Sequence, residues 1–281
     1  MKFVLALLTA GSLASGFAAY AQSSAPVPKV TLTRLDCGTS NGPRDVAAFS
    51  DTHAYDGQKK PLVASCYLIQ HGEDVMLWDA GYPLSIREAP GKPMLLPVSV
   101  VDQLRTLGVD PATVSRIGVS HYHSDHIGQA RDFPGATLMI GAGDWTALTD
   151  KSAKPGFAAA DPAPVAHWVS GAGKVETVAR DKDVFGDGSV TMLDMPGHTP
   201  GHHSLLVRLK TRGDVLLTGD ITHFRENYAT DGIPSFNTDR AASLASLNRF
   251  KAMATNLKAT VIIQHDPRDV AKLPAFPASA D

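Results

Sequence analysis

The chain has 281 residues, of which 43% are hydrophobic and 19% are charged, and its formal net charge at pH 7 is −2. This length allows one large domain or two. The near-neutral charge and the absence of a lysine or arginine run exclude a basic surface for nucleic acid, and they favour a protein that acts on a small molecule.

The first 21 residues, "MKFVLALLTAGSLASGFAAYA", are predicted to be a secretory signal peptide. Lys2 precedes a short apolar run over residues 3–8, and residues 19–21 form an A-x-A cleavage site before Gln22. The alternative is a membrane anchor, but polar or small residues interrupt the stretch before the ~20 apolar residues that a span needs. We therefore expect no stable membrane anchor, a periplasmic or secreted protein, and a single catalytic domain over residues 22–281.

The chain has two cysteines, Cys37 and Cys66. In an oxidising compartment they can form one disulfide. They can equally be two buried thiols in separate strands. The sequence leaves both arrangements open, because it does not give the distance between them.

The predicted elements alternate between strands and helices. Residues 66–79 are typical of a β-hairpin that turns at "HGED". Residues 99–108 predict a helix, with Ser99 and Asp102 resembling a capping box and Gly108 at its end. The remaining predicted elements are a second helix over 238–257 and strands over 116–120, 137–142, 189–196, 203–209, 214–220 and 259–266. This order favours an α/β layered domain, with residues 82–97 as a loop and 150–175 as an insertion.

The stretch "GVSHYHSDHIG" (118–128) follows one predicted strand directly and contains His121, His123, Asp125 and His126. On an extended chain alternate residues face the same side, so His121 and His123 point together. Imidazole and carboxylate groups are zinc ligands. Four of them in six residues exceed what one tetrahedral ion takes from so short a segment, which indicates two neighbouring ions. The alternative is a set of polar surface residues, or one catalytic histidine among residues without a role.

Three further candidate ligands lie at the ends of later predicted strands: His198 in "PGHTPGH", Asp220 in "LLTGD" and His265 in "VIIQHD". In a layered α/β sheet such positions meet at one rim, where sites form. Together with the cluster they give seven ligands.

The pattern H-x-H-x-D-H, followed by His, Asp and His, resembles the dinuclear site of the metallo-β-lactamase-fold hydrolases. The resemblance covers nearly all of residues 22–281 and implies an αββα four-layer sandwich. It implies that His121, His123 and His198 hold one divalent ion, that Asp125, His126 and His265 hold the other, and that Asp220 bridges them. Two zinc ions are the expected cofactors. Asp79, in "LWDAG", resembles the family's residue that orients these ligands.

The segment "GDITHFREN" after Asp220 resembles the N-acyl-homoserine lactonase branch, with one difference. That branch usually has tyrosine three residues after the bridging aspartate, whereas this chain has His223. The resemblance implies that a metal-bound hydroxide opens a lactone ring, with Asp125, Asp220 and His223 in catalytic roles. The alternative for His223 is a pocket wall without a proton role. A small-molecule substrate is expected, and a homodimer is compatible with the sequence.

Two alternative functions remain open. One is a hydrolase of the same fold that acts on another ester, a thioester, a phosphotriester or a β-lactam. The other is a metal-binding protein without activity. Among the remaining histidines, His202 is a candidate for supporting the ligands, and His203 for beginning a strand. His53, His71 and His167 are expected at the surface.

Overall fold

The computed structural model describes residues 28–150, 152 and 159–281, so the predicted signal peptide and part of the 150–175 insertion lie outside the described residues. The strands in this part of the chain are β1 (Val30–Ser40), β2 (Arg44–Asp45), β3 (Lys59–Lys60), β4 (Val63–His71), β5 (Asp74–Trp78), β6 (Met94–Leu95), β7 (Val114–Gly118), β8 (Thr137–Gly141), β9 (Val175–Val178), β10 (Lys182–Asp183), β11 (Val190–Asp194), β12 (His203–Leu209), β13 (Gly213–Leu217), β14 (Thr260–Ile262) and β15 (Ser279–Ala280). The helices are α1 (Val100–Thr106), α2 (Ser124–Ile127), α3 (Ala142–Thr149), α4 (Ala166–Val169), α5 (Arg225–Thr230), α6 (Arg240–Leu257) and α7 (Pro267–Val270).

Two mixed sheets form the centre of the fold. The first has the order β15-β1-β4-β5-β7-β8-β9, with β6 paired to β1, and the second has the order β10-β11-β12-β13-β14. Strands β5, β7, β8 and β9 are parallel, as are β13 and β14. The short strands β2 and β3 pair with each other. The carboxyl ends of β5, β7 and β8 therefore meet at one edge of the first sheet.

Strand alternation divides the apolar side chains between two faces of each sheet. In β4, Cys66 and Leu68 pack towards the helix α1, whereas Tyr67 and Ile69 pack between the two sheets. Because successive side chains on a strand point to opposite faces, one continuous apolar run can fill two cores.

The second sheet repeats this division. Leu205 and Val207 of β12 face the inter-sheet core, and Leu206 faces Phe250 and Leu247 of α6. The layers are thus helices, first sheet, second sheet and α6. The predicted αββα sandwich is confirmed.

Local sequence signals account for several element boundaries. The predicted hairpin is formed by β4 and β5, and Gly72, with φ +58°, occupies the first position of its two-residue turn. At the start of α1, the Ser99 side chain accepts a hydrogen bond from the Asp102 backbone N–H at 3.0 Å. Gly108, with φ +73°, follows the end of that helix. The predictions of the hairpin and of the helix are confirmed.

Two features of the fold differ from or extend the sequence predictions. Cys37 and Cys66 form a disulfide between the paired strands β1 and β4. His71, expected at the surface, is 10% exposed in its side chain, because it stacks on Phe185 and pairs with Asp187 at 2.8 Å. Within the described residues, none of the helices combines the length and the apolar character that a membrane crossing requires.

Candidate metal centre

The seven predicted ligands lie at one rim of the sandwich, in the segments that follow the strands. His121 and His123 come just after β7, and Asp125 and His126 lie on the short helix α2. The other three ligands follow strands of the second sheet: His198 follows β11, Asp220 follows β13 and His265 follows β14. The structure therefore brings ligands from both sheets to the same place.

Three imidazoles from these segments converge on one point. His121 Nε2 lies 2.8 Å from His123 Nδ1 and 3.2 Å from His198 Nε2, and His198 Nε2 lies 3.0 Å from His123 Nδ1. Three nitrogens bound to one tetrahedral zinc ion at about 2.0–2.1 Å lie about 3.3 Å from each other. The spacing of these nitrogens fits a single ion.

A second group of ligands lies beside the first. His126 Nε2 and His265 Nε2 are 3.3 Å apart, and each lies 3.8 Å from Asp125 Oδ2. The donor atoms of these three residues fit a second cation.

The Asp220 carboxylate lies between the two groups with one oxygen on each side. Its Oδ1 is 2.9 Å from His265 Nε2 and 3.3 Å from His126 Nε2. Its Oδ2 is 3.4 Å from His198 Nε2 and 3.7 Å from His121 Nε2. A carboxylate divided in this way can share its charge between two neighbouring cations.

The hydrogen-bond network outside the centre assigns the tautomers of the histidines. His265 Nδ1 donates to the carbonyl oxygen of Val63 at 2.7 Å, and His198 Nδ1 donates to Asn237 Oδ1 at 2.8 Å. Because each Nδ1 carries the proton, each Nε2 presents a lone pair to the centre. These nitrogens are therefore ready to bind a cation.

In its neutral form His265 turns the lone pair of Nε2 towards Asp220 Oδ1, 2.9 Å away, a buried atom with no hydrogen-bond partner within the described part of the chain. Buried polar atoms rarely lack a partner. Burial acts to lower the pKa of His265, but the charge of Asp220 outweighs it and raises that pKa, so the space between the two atoms attracts positive charge. A cation supplies that charge, so the residues present fit a metal ion.

Burial and charge shift the pKa values at this rim in two directions. Burial lowers the pKa of His121 and of His198 well below the usual value, which keeps both imidazoles neutral. At His126 burial also acts to lower the pKa, but Asp220 and the other nearby carboxylates outweigh it and raise the pKa well above its usual value. The second group therefore attracts positive charge, which a metal ion supplies in place of a proton.

Asp79 supports the centre from behind. It is fully buried, with φ +60°, and its Oδ2 accepts a hydrogen bond from His126 Nδ1 at 2.9 Å. The same oxygen accepts from Gln264 Nε2 at 2.9 Å, and Asp79 Oδ1 accepts from the Ser120 backbone N–H at 2.7 Å. Asp79 thus fixes the orientation of His126 and the course of the chain before His121.

His202 supports Asp220 by a different route. Its Nδ1 donates to the Met195 carbonyl oxygen at 3.1 Å, and its Nε2 accepts from the Asp220 backbone N–H at 2.8 Å. Burial lowers the pKa of His202 to about 3, which maintains the neutral imidazole that this arrangement needs. His203, by contrast, begins strand β12.

A cavity of 640 Å³ opens over both groups of ligands. Apolar side chains that include Phe49, Leu62, Ile86, Met94 and Phe236 line it, and so do the charged residues Arg44 and Asp161. His223 also lines it, and its Nε2 lies 3.0 Å from Asp220 Oδ2. Both predicted loops contribute to this cavity, residues 82–97 through Ile86 and Met94, and residues 150–175 through Ala159 and Asp161.

Comparison with known proteins agrees with this geometry. Residues 60–265, about three quarters of the chain, match the metallo-beta-lactamase superfamily. The chain belongs to this superfamily. Among its curated relatives is the N-acyl homoserine lactonase AttM of Rhizobium radiobacter, which is 35% identical over 170 residues. That match covers 59% of this chain and 64% of AttM. The chain therefore spans slightly less than two thirds of the length of this relative.

Solved structures of other proteins share the fold. An N-acyl homoserine lactone hydrolase with N-hexanoyl-L-homoserine bound at its catalytic metal centre superposes with a TM-score of 0.74 at 23% identity. The match covers 90% of this chain and 99% of that one. AidC, described as a dizinc quorum-quenching lactonase, superposes with a TM-score of 0.62 at 16% identity, covering 91% of each chain.

Several residues around the centre of this superfamily member are not indicated by any local sequence pattern. Asn237 and Gln264 are isolated amides, and each reaches its partner only through the fold. Phe49 and Phe236 meet His223 from distant segments, Phe49 with a ring-to-ring distance of 4.7 Å. Tyr82 lay within a predicted loop without an assigned role. Only the strand-end position of Gln264, directly before His265, pointed towards the site.

Proposed function

We propose that the protein is a periplasmic or secreted hydrolase that opens the lactone ring of N-acyl-homoserine lactones at a centre of two divalent metal ions. In this proposal His121, His123 and His198 hold one ion, and Asp125, His126 and His265 hold the other. Asp220 bridges them, and zinc is the ion proposed for both positions. AidC, a protein that shares the fold, is named as a dizinc lactonase, and this supports the choice of zinc.

The observation that carries the proposal is the division of the Asp220 carboxylate. Oδ1 faces His126 and His265, while Oδ2 faces His198 and His121, with all four distances between 2.9 and 3.7 Å. A carboxylate that binds only one ion does not need imidazole nitrogens on both of its sides. The same is true of a carboxylate that only accepts a structural hydrogen bond. Two cations explain this arrangement.

The proposed reaction adds one water molecule to the lactone. The bond between the carbonyl carbon and the ring oxygen breaks, a new carbon–oxygen bond forms to the water oxygen, and the products are an N-acyl-homoserine carboxylate and a proton. When bound, the two ions supply a water of lowered pKa and stabilise the negative charge that develops on the carbonyl oxygen. Asp220 and Asp125 bring two negative charges, which limits the positive charge of the centre.

The role of His223 follows from its contacts. Because the Asp220 carboxylate can only accept, His223 Nε2 carries the proton of their 3.0 Å hydrogen bond. Its Nδ1 is buried and has no hydrogen-bond partner in the part of the chain that the structure describes. We propose that His223, whose ring N–H lies next to Asp220 and the ligands, relays a proton to the ring oxygen as it leaves.

The cavity supports a substrate with a polar head and an apolar tail. Phe49, Phe236 and Leu62 form an apolar wall next to the ligands, which suits an acyl chain. AttM is named as an N-acyl homoserine lactonase, which supports the same class of substrate for this chain.

Two observations support the proposed location. The first 21 residues have the sequence pattern of a secretory signal peptide. Cys37 and Cys66 form a disulfide, and disulfides are found mainly in proteins that leave the reducing cytoplasm. Expression of the full chain in a Gram-negative host, followed by fractionation and N-terminal sequencing, tests this. A processed chain that begins at Gln22 outside the cytoplasm is expected, and an unprocessed cytoplasmic chain would refute it.

The activity is tested with the metal-loaded protein on three substrates: decanoyl-homoserine lactone, nitrocefin and paraoxon, with proton release reporting ring opening. We expect lactone turnover to exceed the other two by at least 100-fold in kcat/KM, about 2.7 kcal/mol of transition-state stabilisation. A chelator should abolish it, and two ions per chain should be found by elemental analysis.

The other outcomes identify the alternatives. Preferred turnover of nitrocefin or paraoxon would replace the lactonase assignment with another hydrolase of the same fold. Two bound ions without turnover of any of the three substrates would favour a metal-binding protein without activity. Turnover that survives complete removal of metal would refute the metal-centre proposal itself.

A further inference from the structure

The disulfide between Cys37 and Cys66 is buried next to the segments that carry the second group of ligands. Both cysteines are 0% exposed and belong to the core between the first sheet and its helices. The bond joins β1 to β4 where their pairing register shifts, between Asp36 and Thr39. A shift of this kind disrupts the backbone ladder locally. The covalent bond therefore holds the two strands together at a place where regular pairing is broken.

On the β1 side, Cys37 contacts the turn that follows β5. A Cβ added at Gly81 would lie 2.6 Å from Cys37 Cβ and 2.9 Å from Cys37 Sγ, so the turn rests directly on this cysteine. Glycine permits that approach, and Gly81 also has φ +60°. The backbone N–H of Tyr82 donates to the Cys37 carbonyl oxygen at 3.4 Å. Cys37 thus sets the position of this turn.

The same turn holds the short helix α2. The Ala80 N–H donates to the His126 carbonyl oxygen at 2.6 Å, and the Gly128 N–H donates to the Gly81 carbonyl oxygen at 2.8 Å. Helix α2 has four residues and no side-chain hydrogen bond at its N-cap, and a helix this short is not stable alone. The turn therefore fixes the helix that carries Asp125 and His126.

On the β4 side, the residues that precede Cys66 hold the third ligand, His265. The carbonyl oxygen of Val63 accepts from His265 Nδ1 at 2.7 Å, and the Val63 N–H donates to the His265 carbonyl oxygen at 3.1 Å. Ser65 Oγ donates to the Gln264 carbonyl oxygen at 2.9 Å. Strand β4 thus fixes both the ring and the backbone of His265.

The first group of ligands is supported elsewhere. His198 Nδ1 donates to Asn237, and neither residue lies on β1 or β4. His121 follows β7, which pairs with β5 and β8. The disulfide therefore joins the supports of one group of ligands and not those of the other.

We propose that Cys37 and Cys66 are positioning residues of the second metal position: their disulfide fixes the turn that holds Asp125 and His126 relative to the strand that holds His265. The inference rests on the proposed metal centre and deepens it. Ligands already in place lose less conformational freedom when they bind an ion, so the bond raises the affinity for that ion. A disulfide that only constrains the unfolded chain would leave both affinities of the folded protein unchanged.

The test measures zinc affinity at each position alone. His198→Ala removes a ligand of the first position, and Asp125→Ala removes one of the second. Each background, with and without Cys37→Ala and Cys66→Ala, is stripped of metal and titrated with zinc against a competing chelator. Leu209→Ala is the matched control, because this buried residue ends β12 on the side away from the ligands and its truncation also lowers stability.

We expect loss of the disulfide to weaken zinc binding about 10-fold or more in the His198→Ala background. In the Asp125→Ala background, affinity should be unchanged. Leu209→Ala should leave the affinity unchanged in both backgrounds, which separates positioning from a general loss of stability.

Two measurements keep the disulfide intact and decide the question if the cysteine variant does not fold. Gly81→Ala pushes the turn away from Cys37, so it should weaken the second position in the same way. In stripped wild-type protein, the backbone amides of Ala80 and Gly128 should exchange with deuterium as slowly as those of β4, because the positioning exists before any ion binds.

Three results would refute the inference: unchanged affinity at the second position, an equal loss at both positions, or rapid exchange of these two amides in the stripped protein. Wild-type protein that binds fewer than two ions would instead refute the proposed metal centre, so the two failures are distinguishable.

Discussion

His223 is the residue by which this chain differs from the lactonase pattern that it otherwise resembles. Its ring stacks on His265 with an interplanar angle of 11°, and Phe49 and Phe236 meet it edge-on. The ring therefore has a fixed place in the cavity wall next to Asp220. A tyrosine at this position also donates a hydrogen bond, but from a hydroxyl in place of a ring nitrogen.

The proposed proton role of His223 predicts a loss of turnover when the donor is removed. Replacing it with phenylalanine keeps an aromatic wall but removes the donor, so kcat should fall at least 10-fold. His223→Tyr, which restores a hydrogen-bond donor, should recover part of kcat. The measurement is kcat for the three proteins with saturating lactone. An unchanged kcat in His223→Phe would leave the residue as a pocket wall.

At the scale of single residues, the sequence indicated all seven candidate ligands, but of the residues that support them it indicated only Asp79 and His202. The ligand types stand at strand ends and four of them form one short pattern, so local sequence shows them. Asn237 and Gln264 reach their partners over separations of 39 and 185 residues. Such contacts are decided by the packing of distant segments, and no local pattern indicates them.

Among the elements, the loop that carries His198 depends on a close backbone approach to α3. A Cβ added at Gly141, just before that helix, would lie 1.8 Å from the Gly201 carbonyl oxygen. Within α3, Asp144 accepts hydrogen bonds from the Gly201 N–H at 2.7 Å and from the Thr199 hydroxyl at 2.9 Å. The helix thus sets the position of the loop, and the loop sets the position of His198.

This contact predicts a large effect for a small substitution. Gly141→Ala must move the 197–201 loop away from α3, so we expect a loss of about 2–4 kcal/mol in the free energy of unfolding and weaker binding of the first ion. Gly135→Ala is the matched control, because a methyl there meets nothing within 4 Å. Urea unfolding and zinc titration measure both effects. Equal stability and affinity in the two variants would show that the loop adapts without cost.

Element predictions succeeded where a local pattern was strong and failed where pairing creates the element. The hairpin of β4 and β5 and the capped helix α1 follow from local turn and cap residues. The central strand β1 was not predicted, and it is stabilised by pairing with β4 and β15. The two-residue strands β2, β3 and β6 likewise exist only as partners of other strands. Tertiary pairing, which a single segment does not encode, decides these elements.

In the molecule as a whole, the proposed metal centre joins the two sheets. The first sheet supplies the ligands of residues 121–126, and His198, Asp220 and His265 follow strands of the second sheet. Each proposed ion takes ligands from both sheets. Without cations, the neutral imidazoles of His121 and His198 face each other with Nε2 atoms 3.2 Å apart, and Asp220 lacks the positive charge that its buried carboxylate attracts from both sheets.

Metal removal should therefore lower the stability of the whole domain. An ion that binds only the folded state stabilises it by about 4 kcal/mol when its free concentration is 1,000 times Kd. We expect a chelator to lower the melting temperature of the wild type by several degrees and added zinc to restore it. Asp220→Ala, which lacks the shared ligand, should melt lower at the outset and respond less to the chelator. Calorimetry with elemental analysis of each sample tests this. A stripped wild-type protein that melts at the same temperature as the loaded one would show that the contacts of the inter-sheet core alone hold the sheets together, with the ions contributing no net stability.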